Sequence, residues 1–123
     1  MIRYVFTDLP KLSLNEWYGS KHWTKRSAMK DIYRAIVTPR IKPIDYPVNV
    51  AYLFEFQARP LDQSNCVAMV KLIEDCIFPD DSPKIVKDLY IKGFKSPRAK
   101  ELKQKKIEVV ITVIIKPYVE QQV

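Results

Sequence analysis

Residues 61–83 read LDQSNCVAMVKLIEDCIFPDDSP, and the spacing of their apolar positions decides the fold. Cys66, Met69, Val70, Ile73 and Ile77 recur at steps of three and four, which puts them on one buried face of a helix. Asn65 or Ser64 is positioned to cap it, because a short polar side chain accepts from the free N–H groups of a first turn. Arg59-Pro60 breaks the chain ahead of this helix and Phe78-Pro79 stops it. Acids stand at both ends: Asp62 before, and the pair Asp80-Asp81 in a short loop closed by Ser82-Pro83. If the flanking strands lie side by side and these acids meet, their oxygens suit Mg²⁺ or Mn²⁺. The competing reading makes Asp62 a turn residue and Asp80-Asp81 a solvated loop.

The sequence on either side supplies the strands. Positions 2–7 alternate between two faces and end at Asp8-Leu9-Pro10, predicting a first strand. Positions 11–24 are loop-like and mix Trp17, Tyr18 and Trp23 with Lys21 and His22. The basic run continues into Lys25 and Arg26. Such a mixture can stack on bases and contact phosphates, or the tryptophans can simply anchor a loop. A helix is predicted over 27–37, with Met29, Ile32, Tyr33 and Ile36 inward and Lys30 and Arg34 outward. Pro39, Pro43 and Pro47 make the following connection irregular. In 48–57 the residues Val48, Val50, Tyr52, Phe54 and Phe56 share one face of a long strand. That strand delivers the chain to Asp62.

Positions 84–95 predict a further strand, with Gly93 marking a bulge or bend. The run 95–106 then carries Lys95, Arg98, Lys100, Lys103, Lys105 and Lys106 against the lone Glu101. It reads either as a phosphate-contacting segment or as a solvated face. Positions 107–115 predict a last strand, apolar on nearly both faces and therefore central or well covered, with a frayed tail from Pro117. The order is β-α-β-α-β-β. The expected class is α+β, a mixed β-sheet with two main helices packed on it. In this arrangement Asp62 follows the carboxyl end of one strand and Asp80-Asp81 precede the amino end of the next. Those ends share an edge only in an antiparallel pair, so a common metal site requires that pairing or a long connection.

At 123 residues and 47% hydrophobic, the chain is expected to form one domain over 1–123. The formal charge of +7 and pI near 9.4 favour a polyanionic partner, most often nucleic acid. Cys66 and Cys76 fall on the same predicted helix, about 15 Å apart along its axis, too far for a disulfide. They read as buried thiols of a reducing, cytoplasmic protein. With one histidine and no CxxC, zinc is not expected. No apolar run of about 18 residues exists, and the alternating, charged N-terminus does not resemble a signal peptide, so no membrane is expected.

Three blocks resemble the RusA-type Holliday-junction resolvases, a family common in phages and prophages. They are Leu9-Pro10 followed by Ser13-Leu14-Asn15-Glu16-Trp17-Tyr18, then Asp62-Gln63-Ser64-Asn65 with its helix carrying Lys71 and Asp75, and Asp80-Asp81 with the apolar run from Ile85. The resemblance spans roughly 9–113. It implies an Asp-x-Asp-Asn motif and a later acid pair holding a catalytic metal, with a helix lysine near the scissile phosphate. By position, Asp62 matches the first acid, Asn65 the motif Asn, Asp81 the second acid of the pair with Asp80 beside it, and Lys71 the lysine. Ser64 stands where a second motif acid is expected, and Asp80, Asp75 or a water would have to compensate. A homodimer is implied too, since two sites can nick two opposed strands of a four-way junction.

Together these expectations describe a Mg²⁺-dependent (or Mn²⁺-dependent) endodeoxyribonuclease acting on branched DNA in recombination and repair. Asp62, Asp81 and Lys71 would be catalytic, and Lys21, His22, Lys25, Arg26, Lys100, Lys103, Lys105 and Lys106 would contact DNA. The alternative is a non-catalytic nucleic-acid-binding module on the same scaffold, its metal site weakened by Ser64. A basic protein-interaction domain is a third reading, disfavoured by the aromatic-basic loop.

Overall fold

Val48–Phe56 (β2) forms the middle of the sheet because every second residue is apolar and goes under the helices. Val48, Val50, Tyr52, Phe54 and Phe56 are all buried, and each fully buried large side chain stabilises the fold by about 1.5–3 kcal/mol. The computed structural model describes residues 1–13, 17, 23–42, 44, 46–57, 60–78, 90–103 and 106–119. It is an α+β fold with a five-stranded mixed sheet and two main helices.

Ile2–Phe6 (β1) pairs antiparallel with Val109–Pro117 (β5), and β5 pairs antiparallel with β2. On its other side β2 carries two short parallel strands, Ile91–Phe94 (β3) and Arg98–Glu101 (β4). These two act as one interrupted strand. Lys95 N–H reaches Val50 O across the gap, and Leu102 N–H reaches Phe56 O beyond the end. Trp23–Val37 (α1) and Val67–Ile77 (α2) pack against each other. Tyr52 Oη donates to Glu74 Oε1 at 3.4 Å, which holds α2 over the buried face of β2. The opposite face carries exposed Asn49 and half-buried Ala51, Leu53 and Glu55.

Several expectations change in detail. The run 95–106 contains a strand, so the order is β-α-β-α-β-β-β. The reason is that the carboxyl half of β2 would otherwise leave an unpaired edge, and Ala99 packs against the core opposite Phe54. Helix α1 begins at Trp23, four residues ahead of the expected start, and Ile32 is exposed at 42% rather than inward. The last strand is shifted two residues onward, to Val109–Pro117, and it is central as its two apolar faces require. The tail is tied at Tyr118, whose N–H donates to Pro47 O at 2.9 Å.

The expected bulge at Gly93 is present: the register skips Lys92 between Val48↔Ile91 and Asn49↔Gly93. A β-carbon on Gly93 would lie 1.9 Å from Asn49 Oδ1, so only glycine lets that side chain stay where it is. The expected strand over 84–95 is described only from Tyr90 onward, and 84–89 lie outside the described residues. Both cysteines are free and buried. Among the described residues, no helix is long and apolar enough to cross a membrane.

The strands flanking α2 are parallel, not antiparallel. Asp62 therefore leaves the carboxyl end of β2, as expected, while the chain from α2 returns to the amino end of β3. The antiparallel pairing that would bring Asp62 and Asp81 to one sheet edge is thus absent between β2 and β3, and Asp81 lies outside the described residues.

Candidate functional site

The chain leaves β2 at Phe56, turns, and enters α2 through a 3-10 turn, Gln63–Cys66. Asp62 is the cap of that turn, in place of the expected Ser64 or Asn65. Its backbone is extended, with φ −68° and ψ 166°, so its side chain folds back over the free N–H groups of the turn. Oδ1 accepts from Asn65 N at 3.1 Å, from Asn65 Nδ2 at 2.9 Å and from Ser64 Oγ at 3.2 Å. All three donors converge on one oxygen. Asp62 is exposed, and among the described residues its Oδ2 accepts no hydrogen bond. Ser64 is thus a donor to Asp62, where an acid in its place would have repelled it.

Beneath the turn lies Cys66, fully buried. Burial first, and the Asp62 carboxylate after it, push its thiol up to about 11 against the opposing Lys11 ammonium. This thiol stays protonated at neutral pH and is not a nucleophile. It reports instead that Asp62 and Lys11 act on the same point.

Lys11 reaches the same end of the sheet from the first loop, with Nζ 5.2 Å from the centre of the Phe56 ring. The loop that carries it is fixed: Leu9, Leu12 and Ser13 are buried, and Tyr33 Oη donates to Pro10 O at 2.6 Å. Glu101 arrives from β4. The register Phe56↔Glu101 puts it on the Phe56 side of the sheet, where β4 packs against the 63–66 turn. The sequence reading passed over both residues. Lys11 stood in a loop 45 positions from Phe56, and Glu101 looked like a stray acid in a basic run. The parallel pairing of β4 with β2 gives Glu101 its place, and the packing of the first loop against Phe56 gives Lys11 its own.

Lys71 is exposed on α2 and Asp75 is half-buried one turn later. Asp75 turns toward α1 and lines a cleft of about 200 Å³ with Lys30, Arg34 and Leu72. It stands about 12 Å along the helix from Val67, so it does not join Asp62 and does not replace the acid missing at position 64. Asp80 and Asp81 lie outside the described residues, and so do Lys21, His22 and Lys105. Lys25, Lys103 and Lys106 are exposed. Lys100 sits 3.8 Å from Glu55 across the β2–β4 pairing. Arg26 is engaged within the fold: Nε donates to Trp17 O at 3.0 Å and its guanidinium lies 5.7 Å from the Trp17 ring centre. Trp17 packs against the core and serves as a loop anchor.

Among the described residues no three His, Cys, Asp or Glu side chains gather in a way that could hold a metal ion. The donor chemistry at Asp62 still fits a hard divalent cation, since its open Oδ2 is an anionic oxygen beside the polar side chains of Asn65 and Ser64. Compared with known proteins, the chain matches no protein-family model, no curated protein and no solved structure.

Proposed function

We propose that this chain is a metal-dependent, structure-specific endodeoxyribonuclease that cleaves phosphodiester bonds in four-way junctions, as its resemblance to RusA-type resolvases implies. The observation that carries the reading is the Asp62 carboxylate. It is fixed through Oδ1 and open at Oδ2, at the carboxyl end of the central strand of a chain with formal charge +7.

In this reading Asp62 and Asp81 hold Mg²⁺ or Mn²⁺, with Asp80 beside them. A divalent ion bound there would supply a deprotonated water and charge for the leaving oxygen. Asn65 and Ser64 orient the carboxylate. Lys71, exposed one turn into α2, neutralises the phosphate as charge builds on it. Asp81 stands four residues past Ile77, a reach of up to about 14 Å against about 15 Å for the length of α2, which leaves completion of the site to Asp81 of a second copy of the chain in the proposed homodimer.

Lys25, Lys100, Lys103 and Lys106 supply phosphate attraction along the DNA, with Lys21, His22 and Lys105 completing the set. A homodimer fits the two-fold cleavage of a junction, and two free buried thiols fit a cytoplasmic location.

A second reading, a nucleic-acid-binding module without cleavage, draws support from Ser64, which leaves one fewer charged ligand. The test is divalent-ion-dependent nicking of a labelled four-way junction beside a plain duplex. Junction nicking supports the nuclease, binding without nicking the module, and no binding at low salt a protein-interaction domain.

A further inference from the structure

We propose that Lys11, held over the Phe56 ring, binds a backbone phosphate of the nucleic acid at the end of β2 from which the chain runs on to Asp62. The inference deepens the reading above and rests on it, since it takes the ligand to be a phosphodiester chain.

Three independent features single Lys11 out from the other lysines. Its backbone is locked on both sides, by buried Leu9 and by buried Leu12 and Ser13, with Pro10 O tied to Tyr33 of α1. Its ammonium is steered by the Phe56 ring, 5.2 Å from the centroid, and Phe56 is the last residue of β2 before the chain turns to Asp62. It forms no ion pair with an acid among the described residues.

A lysine on a mobile stem gives diffuse attraction. One held by its backbone and by an aromatic face presents a fixed cation at a fixed place, which suits a single phosphate oxygen.

The test compares wild type with Lys11→Gln, Lys11→Met and Lys11→Arg, with Lys42→Gln as an exposed control of the same charge change. Met keeps an apolar stem over Phe56, so a variant with the wild-type melting point is available even if Gln loosens the loop. Binding to a fluorescent four-way junction is measured in Ca²⁺ over a range of salt, and single-turnover cleavage in Mg²⁺ at saturating protein.

The neutral variants should flatten the slope of log affinity against log salt by about 0.9, while Lys11→Arg and Lys42→Gln keep it. Their cleavage rate at saturation should fall about 100-fold, as when one fixed charge-stabilising donor is removed. An unchanged slope in a folded neutral variant overturns the proposal. If wild type binds the junction but never cleaves it, the nuclease reading fails and the slope alone decides Lys11. If wild type binds no DNA at all, both fall.

Discussion

Asn65 donates twice to one oxygen of Asp62, from its backbone N–H at 3.1 Å and from its side-chain Nδ2 at 2.9 Å. The carboxylate that starts the helix is thus also the candidate metal ligand, and two substitutions separate the roles. Asp62→Asn keeps an acceptor at the capping position, where Asn and Asp are about equally effective, and should leave stability within about 0.5 kcal/mol. Asp62→Ala removes the cap and should cost about 1 kcal/mol. Both should abolish cleavage, and Asp62→Asn should keep junction affinity. Chemical denaturation with parallel binding and nicking assays checks this. Loss of junction binding in folded Asp62→Asn would make Asp62 a structural residue only.

Tyr33 of α1 is fully buried and its hydroxyl supports the Pro10 carbonyl ahead of Lys11. Tyr33→Phe retains the ring and leaves that carbonyl unpaired, so it should cost about 1 kcal/mol. Hydrogen exchange at Leu12 and Ser13 should speed up with it. An equal melting temperature and unchanged exchange would show that the loop is held by its buried side chains alone.

The helix over α2 and the strand β2 were legible because their periods are unambiguous: five apolar residues at helical spacing, and five alternating ones. Both faces came out as read, and so did the central last strand. Strand β4 was hidden because exposed Arg98, Lys100 and Glu101 carry no apolar alternation. Its existence follows from hydrogen bonds to β2, which no local pattern records. The cap moved from Ser64 and Asn65 to Asp62 because the helix is preceded by a 3-10 turn, which places its first free N–H groups earlier. Lys11 was invisible for a similar reason, since only the packing of the first loop against Phe56 brings it to the site.

Asp8 and Arg40 form a two-point ion pair, at 3.0 and 2.6 Å, and the guanidinium hydrogen bond holds the Asp8 carboxyl below its usual value of 3.8. A carboxyl depressed in the folded state contributes stability that is complete above the unfolded value. That contribution is lost as pH falls through the folded value. Both groups are close to half exposed, so the contribution is small and screened by salt. Arg40→Gln should therefore flatten the melting-temperature profile between about pH 5 and pH 2 at low salt and change little at 1 M salt. A mutant profile parallel to wild type at low salt would show that the pair adds nothing.

Lys103 and Lys106 are exposed in the turn after β4. Changing Lys103, Lys105 and Lys106 together to Ala should flatten the salt slope of DNA affinity by up to about 3 units. Stability should shift by less than about 0.5 kcal/mol, because β5 begins only at Val109. A titration of junction and duplex at several salt concentrations reads the slope. An unchanged slope in the folded mutant would make this run a solvated face and move the DNA path to α1 and the loop before it.

The central claim, that Asp62 is one half of a metal site, is tested most directly by a crystal structure of the protein with Mn²⁺, located by its anomalous signal. The account predicts Mn²⁺ about 2.1–2.2 Å from Asp62 Oδ2, and an Asp81 carboxylate from the same or a symmetry-related chain within roughly 4–7 Å of that of Asp62. Asp62 and Asp81 more than about 12 Å apart in every subunit pairing, with no Mn²⁺ peak at Asp62, would contradict it.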